Sequence, residues 1–324
     1  MSQQLRSTIE DVAALAKAAV PTCYHALRGT GRLAPETRQR IQAAAARLAF
    51  QFDRRGRSLA NGKVGIIGVL YGQRYPCLSG FGGHLLEMIA ARLATLDHHL
   101  LLMPAPDDGK ELRRQLSDGR IDACLATQRC TGDMALALAQ SGRPHVVLND
   151  DPEGTSSPRI LFDDHAAVAT ALGLLTSLGH HRIAYLPSAS DPTHYSFAAR
   201  LRAFRELCPH GMILDHDLGT AVRSLSEGKD RVSAVLAYDD RAACHFIQAC
   251  GMPVPHRLSV VGINDEPAAT LIAPQLTTIH LPIEDMAREA VDRLMQALAG
   301  DPEPARTSVL TGRLILRGST APVG

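Results

Sequence analysis

The first fifty residues carry apolar positions at helical spacing. The apolar positions of the first predicted helix are Ile9, Val12, Ala13, Leu15 and Ala16. Thr8 precedes them and can accept a backbone N–H of the first turn, with Asp11 three residues on, so a helix should begin near Ile9. A second run spans residues 20–27, and Pro35 starts a third that continues to Phe50. This pattern predicts a small bundle of three helices.

From Val64 onward, strand-like apolar runs alternate with helical stretches. The candidate strands are residues 64–70, 99–103, 121–127, 145–149, 182–186, 233–237 and 258–263. Such alternation favours right-handed βαβ units and parallel sheets. Because the pattern restarts near Ile160, we expect two Rossmann-like lobes with a ligand cleft between them.

Length and composition exclude several classes of protein. A chain of 324 residues suggests about two domains at roughly 150 residues each. With 45% apolar and 21% charged residues, and no apolar run of about 18 residues, no membrane span is expected. The start of the chain lacks the apolar region of a secretory signal, which favours the cytoplasm. Seven cysteines without a C-x-x-C pair argue against a disulfide framework and a zinc knuckle.

Charge is distributed unevenly along the chain. Residues 1–63 carry a local charge of +7, so the remainder carries −6 against a total of +1. A basic amino-terminal segment on an acidic body is expected where one end of a protein meets a polyanion such as nucleic acid. The alternative is a solvated basic helical domain with no such partner.

Ordered motifs along nearly the whole chain resemble one protein family. These motifs include TIEDVAALA, GRSLANGKVGIIGVL, LTSLGHHRIAYL, AVLAYDDRAA, LSVVGINDEP and PQLTTIHLP. In this order and spacing they resemble the lactose-repressor (LacI/GalR) family of bacterial transcriptional regulators. The resemblance implies a helix-turn-helix head in residues 1–52, a hinge helix in residues 53–63, and a two-lobe core in residues 64–324. The first lobe would hold about residues 64–160 and 283–305, and the second about residues 161–282 and 306–324. The predicted fold class is therefore α/β: an all-α head joined to a periplasmic-binding-protein-like core with parallel sheets.

The second helix of a helix-turn-helix enters the major groove of DNA. The resemblance places base contacts at Val20, Pro21 and His25. By helical spacing, Cys23, Ala26 and Leu27 can face the bundle, which leaves Thr22 and Tyr24 for DNA as well. Further DNA-binding candidates are Thr8, Arg28 and Arg32. The alternative for Tyr24 and His25 is a solvated helix face.

Several head residues depart from the family pattern. Relatives usually carry Arg where this chain has His25, and Ser where it has Tyr24. Neutral His cannot donate the two parallel hydrogen bonds that Arg gives to guanine, a pairing worth about 1–3 kcal/mol of discrimination between bases. We therefore expect an operator that differs from the common half-site of the family. Lys17 and Ala19 replace a turn glycine and a capping serine, which should weaken the head by roughly 1 kcal/mol.

The predicted hinge is basic and carries one apolar wedge. Arg54, Arg55 and Arg57 are candidates for DNA contact, and analogy places Leu59 between base pairs in the minor groove. Gly56, where relatives usually have Ala, should weaken this helix by about 1 kcal/mol. The alternative for Leu59 is a linker residue that packs on the core.

The resemblance also implies a set of effector-binding residues. These are Asn149 in one lobe and His194, Ser196, Arg200, Asp239 and Asn264 in the other. The Arg guanidinium can donate to two hydroxyl groups at once, and Asp and Asn can bind vicinal hydroxyl groups. The set therefore suits a sugar-like ligand. Other roles remain open: an interdomain salt bridge for Arg200, and helix capping for Asp239 and Asn264.

No enzyme motif is present in the sequence. The glycines of residues 80–83 lack G-x-G-x-x-G spacing, the paired histidines are adjacent, and no G-x-S-x-G elbow occurs. We therefore expect no catalysis, cofactor or metal. The prediction is a homodimeric repressor of double-stranded operator DNA that a small sugar-like effector controls. The alternatives are a solute-binding receptor without DNA function and a sugar-modifying enzyme.

Overall fold

A capped helix begins the amino-terminal unit. Helix α1 (Ile9–Ala16) starts behind Thr8, whose hydroxyl accepts the Asp11 N–H, while the Asp11 carboxylate accepts the Thr8 N–H at 2.7 Å. Helices α2 (Val20–Leu27) and α3 (Pro35–Arg47) follow. The predicted three-helix head is confirmed. Helix α3 ends before Phe50 because the chain turns into the left-handed region at Ala49, where φ is 47°.

Small side chains fill the core of the head. The buried members are Val12, Ala13, Ala16, Cys23, Ala26, Ile41, Ala44 and Ala45. Leu15 is apolar at helical spacing but lies outside this core, since its side chain is 41% exposed. Leu15 lies about 100° around the helix from the centre of the stripe that faces α2 and α3, because successive residues are about 100° apart. A bundle this small covers only a narrow side of α1.

The structure of the chain is a computed structural model. It describes residues 7–50, 64–72, 80–106, 108–127, 130–152, 155–188, 194–227, 232–301 and 307–323. It divides into two units, Met1–Val64 and Gly65–Gly324. The predicted hinge, with Arg54, Arg55, Arg57 and Leu59, lies outside the described residues.

The described part of the second unit holds two sheets of six strands. The first has the order β11-β5-β4-β3-β1-β2 and is parallel throughout. Its strands are β1 (Ile66–Gly72), β2 (His99–Ala105), β3 (Ala123–Thr127), β4 (His145–Leu148), β5 (Arg159–Phe162) and β11 (Thr307–Leu310). The second has the order β12-β10-β9-β8-β6-β7, with β12 antiparallel to β10. Its strands are β6 (Ile183–Leu186), β7 (Met212–Ile213), β8 (Ala234–Ala237), β9 (Ser259–Asn264), β10 (Thr277–His280) and β12 (Arg313–Ile315).

Helices cover both sheets and define two lobes. The first lobe adds α4 (Gly80–Thr95), α5 (Gly109–Ser117), α6 (Gly132–Gln140) and α12 (Ile283–Ala299). The second adds α7 (Asp164–Ser177), α8 (Tyr195–Leu207), α9 (Leu218–Glu227), α10 (Asp240–Ala249) and α11 (Ala268–Leu271). Within the described residues, no helix has the length and apolar character needed to cross a membrane.

Strand pairing corrects the expected lobe boundaries. Strand β5 ends at Phe162 in the first sheet, close to the expected change of lobe at about residue 160. Strand β11 pairs in parallel with β5 in the first sheet. This corrects the expectation that residues 306–324 belong entirely to the second lobe. An edge strand is chosen by hydrogen bonding to a distant partner, which the local pattern of apolar residues does not reveal.

Candidate functional site

Helix α2 exposes most of the residues predicted to read DNA. Pro21, Tyr24 and His25 are exposed, whereas Val20 and Thr22 are half-buried at the border of the same face. The opposite side packs into the head through Cys23 and Ala26, as their spacing predicted. Ala19 precedes the helix without a capping side chain, in agreement with the expected loss of a cap.

Polar and aromatic contacts organise the exposed face of α2. The His25 Nδ1 atom lies 3.2 Å from the Thr30 Oγ1 atom, and the Tyr24 ring packs edge-on against the His25 ring. The Arg28 guanidinium lies 4.9 Å from the centre of the Tyr24 ring. Thr30 was not among the predicted residues, because nothing in its sequence position marks a partner for His25.

The remaining DNA-binding candidates have different surroundings. The Thr8 side chain belongs to the capping box of α1, and Arg32 is exposed in the turn before α3. Both remain predictions as DNA contacts.

Three predicted effector residues lie at or just beyond the carboxyl ends of parallel strands. Asn149 follows β4, Asp239 follows β8, and Asn264 ends β9. Asn149 and Asn264 adopt positive φ values of 50° and 121°, which turns the chain sharply as it leaves each strand. In open α/β sheets, the carboxyl ends of the strands are where ligands bind.

Arg200 is the centre of a buried polar network. Its Nε atom donates to Asp164 Oδ1 at 2.7 Å, and its terminal nitrogens donate to the Tyr238 carbonyl at 2.6 Å and to Asn264 Oδ1 at 3.4 Å. The guanidinium also lies 4.8 Å from the centre of the Tyr238 ring. Arg200 and Asp164 belong to α8 and α7 of the second lobe, so their ion pair does not join the two lobes.

A hydrogen bond between Asn149 and Ser196 crosses from one lobe to the other. Asn149 Nδ2 donates to Ser196 Oγ over 3.3 Å, and both side chains are buried. His194 caps α8 by accepting the Ser196 N–H at its Nδ1 atom. His194 therefore positions the start of α8, where Ser196 faces Asn149.

Asp239 performs the capping role that the sequence left open. Its carboxylate accepts the Ala242 N–H at 2.7 Å at the start of α10. Burial raises the pKa of Asp239, the Ala242 N–H lowers it, and the Glu266 carboxylate raises it. Asn264 caps no helix: it contacts Arg200 and donates from Nδ2 to Glu266 Oε1 at 3.2 Å.

Glu266 is a site residue that the sequence analysis missed. A Cβ atom placed on Gly80, the first residue of α4, would lie 2.8 Å from Glu266 Oε2, so this carboxylate reaches the first lobe. Asp240 anchors the main chain of Glu266, because its Oδ2 atom accepts the Glu266 N–H at 2.7 Å while its Oδ1 atom accepts the Thr278 hydroxyl at 2.5 Å. The acid in the motif GINDEP was the available signal.

The assembled cleft offers many hydrogen-bonding groups and no metal cluster among the residues that the structure describes. Asp164 and Asn264 of the second lobe bind Arg200, and Asn149 of the first lobe binds Ser196 one turn earlier on α8. This chemistry suits a small polar ligand rich in hydroxyl groups.

Comparisons with known proteins agree with this architecture. Residues 172–320 match the periplasmic binding protein-like domain. The HTH-type transcriptional regulator MalR of Streptomyces coelicolor is 29% identical, with 98% of this chain and 97% of the relative covered. The lac repressor dimer bound to operator and the anti-inducer ONPF has a TM-score of 0.83 at 21% identity and covers 98% of this chain and 100% of its own. The complex of the transcriptional regulator CelR with cellobiose has a TM-score of 0.67 at 24% identity, covering 97% and 100%.

A helical head and a periplasmic-binding-protein-like core on one chain define a class of ligand-responsive transcriptional regulators. Three helices with an exposed second helix form the head, and two parallel sheets form the core. Curated relatives that match 98% of this chain are HTH-type transcriptional regulators, which supports the resemblance to the lactose-repressor (LacI/GalR) family of bacterial transcriptional regulators. Its relatives are regulators and not enzymes, which agrees with the expectation that the chain performs no catalysis.

Proposed function

We propose that the chain is a repressor that binds a pseudo-palindromic operator as a homodimer and changes its DNA affinity when a sugar or sugar derivative enters the core. The similar lac repressor is a dimer on its operator, and the similar CelR binds cellobiose. The observation that carries the proposal is the buried polar network of Arg200 next to the Asn149–Ser196 contact between the lobes, on the same chain as an exposed α2.

DNA binding would combine charge with groove reading. Residues 1–63 carry +7, which attracts the phosphate backbone without regard to sequence. Pro21, Tyr24 and His25 then present their side chains to base edges, with Thr22 and Val20 at the border. The predicted hinge contacts of Arg54, Arg55, Arg57 and Leu59 would add the minor groove.

Effector control would act through the contacts between the lobes. Asn149 binds Ser196, and Glu266 reaches the start of α4. A ligand bound among these groups would replace contacts between the lobes with its own contacts to each lobe. A ligand that binds one lobe arrangement more tightly shifts the population toward it. The operator affinity of the dimer changes by the same coupling free energy.

Operator binding and its response to ligand test this function together. Fluorescence anisotropy with DNA from upstream of the chain's own gene should show an affinity that falls steeply with salt. Addition of sugars, cellobiose included, should change that affinity. Loss of the salt dependence, or specific binding that no sugar alters, would contradict the proposal.

Arg200→Lys separates the effector site from the DNA site. Lysine keeps a positive charge beside Asp164 but loses the fork that reaches the Tyr238 carbonyl and Asn264. The ligand concentration that gives half of the response should rise about tenfold or more, while operator affinity stays unchanged. Arg205→Ala, at an exposed position of the same helix, is the matched control and should respond like the wild type.

A further inference from the structure

Two buried acceptor atoms of the candidate effector site have no hydrogen-bond partner. The buried Tyr185 hydroxyl is also without a partner, and its single donor satisfies at most one of these acceptors. Asp164 Oδ2 belongs to the carboxylate whose other oxygen binds Arg200, and Asn149 Oδ1 belongs to the amide that reaches Ser196. Their residues are only 3% and 5% exposed. A buried polar atom without a partner costs about 1–3 kcal/mol. Because both atoms are acceptors, the missing partner must be a hydrogen-bond donor.

Carboxylates outnumber cations around these acceptors. Arg200 is the one buried cation of the described cluster, and Asp164 already pairs with it. Asp239 and Glu266 add two further carboxylates, close enough for Glu266 to raise the pKa of Asp239 beyond the effect of burial. Arg241 also acts on Asp239, but its side chain is exposed on α10.

Glu266 is held inside the cleft by its neighbours. Its N–H donates to Asp240 and its carboxylate accepts from Asn264, while the same carboxylate approaches Gly80 across the cleft. The amino-terminal end of α4 offsets part of this negative charge through the helix dipole, equivalent to roughly half a positive charge. A ligand that enters between Glu266 and α4 removes that compensation, and the carboxylate then needs another positive partner.

We propose that the effector carries an ammonium group, which makes amino sugars and related polyhydroxylated amines its chemical class. This inference rests on the proposed function, because it names the ligand of the same cleft. An ammonium supplies three donors for unpaired acceptors and a positive charge for the excess carboxylates. A neutral sugar supplies donors without the charge, and a sugar acid brings a carboxylate against like charges.

Matched sugars that differ in charge test the proposal. Isothermal titration of the full-length protein at mildly acidic pH would compare glucosamine with glucose, glucuronate and N-acetylglucosamine, together with the galacto and manno epimers of each. At least one amino sugar should bind about tenfold more tightly than its neutral, acidic and acetylated counterparts. Equal or tighter binding of a neutral or acidic member overturns the proposal, as does the absence of binding by every amino sugar.

Glu266→Gln should reduce the advantage of the amino sugar over its neutral counterpart by about fivefold or more, because the amide keeps the shape and removes the charge. Glu87→Gln is the matched control, since it removes an exposed carboxylate of α4 and should leave the advantage intact. An advantage that is unchanged in Glu266→Gln contradicts the role of this carboxylate.

Operator binding in the same samples distinguishes this inference from the proposed function. If a neutral sugar alters operator affinity at an equal or lower concentration than every amino sugar, the proposed function stands and the ammonium proposal is overturned. If the protein does not bind operator DNA and no sugar of any charge binds, both fail.

Discussion

Asn149 and Ser196 join the two lobes through a 3.3 Å hydrogen bond between buried side chains. Asn149 follows β4 and adopts a left-handed backbone conformation. Ser196 lies in the first turn of α8, which His194 caps. Each lobe thus brings a rigid strand or helix end to the contact. A ligand that replaces this bond would therefore act on β4 and α8, which pack into the two lobes.

Gly262 leaves room for the carboxylate that positions Glu266. A Cβ atom at residue 262 would collide with Asp240 Oδ1 and lie 2.8 Å from Leu276 Cδ2. Gly262→Ala should therefore lower the free energy of unfolding by about 1–3 kcal/mol in urea denaturation. Gly173→Ala is the control, because Gly173 faces open space on α7 and alanine there should stabilise by about 0.5–1 kcal/mol. Equal effects of the two substitutions would contradict this packing argument.

Lys17 and Ala19 limit the stability of the head. Lys17 ends α1 with φ of 47°, where a side chain costs roughly 1–2 kcal/mol relative to glycine, and Ala19 caps α2 without a side-chain bond. Lys17→Gly and Ala19→Ser should each slow hydrogen exchange in α1 and α2 about fivefold, which corresponds to about 1 kcal/mol. Ala14→Gly, at an exposed right-handed position of α1, should instead speed exchange. Faster exchange in Lys17→Gly would show that the left-handed residue carries no cost.

Thr30 orients the His25 ring through its contact with Nδ1. Thr30→Val removes this partner, so the tautomer of His25 is no longer fixed by a hydrogen bond at Nδ1. The base pairs preferred at the operator position that His25 contacts in the proposed complex should therefore change. Selection from a randomised operator library measures the preference. Thr30→Ser keeps the hydroxyl and should select the same sequences as the wild type. A uniform loss of affinity in Thr30→Val, without a change in sequence preference, would argue against this role.

Asp240 should make stability depend on pH. Burial raises its pKa from 3.8 to about 7, so the folded state favours the protonated form. The stability that this preference contributes is present below about pH 4 and is lost as the pH rises through about 7. Asp240→Asn should therefore show a shallower decline in urea-unfolding free energy across this range. Glu87→Gln should keep the slope of the wild type, and an unchanged slope in Asp240→Asn would refute the assignment.

Local sequence patterns predicted the elements well where neighbouring residues decide the structure. Thr8 and Asp11 cap α1, and Pro35 starts α3, because these effects involve residues within one turn. The burial of Cys23 and Ala26 also followed from helical spacing. The exposure of Leu15 could not be read from the same spacing, because it depends on how much of α1 the two neighbouring helices cover.

The sequence by itself determined the helical head, the alternating strands and helices, and the identity of most polar residues in the cleft. Those properties depend on short-range periodicity, on capping and on motifs that are contiguous in the chain. Only the tertiary structure decided that β11 pairs with β5, that Asp164 holds Arg200, and that Glu266 reaches α4. These contacts join residues far apart in sequence, so they depend on packing and on burial of charge, which no local pattern encodes.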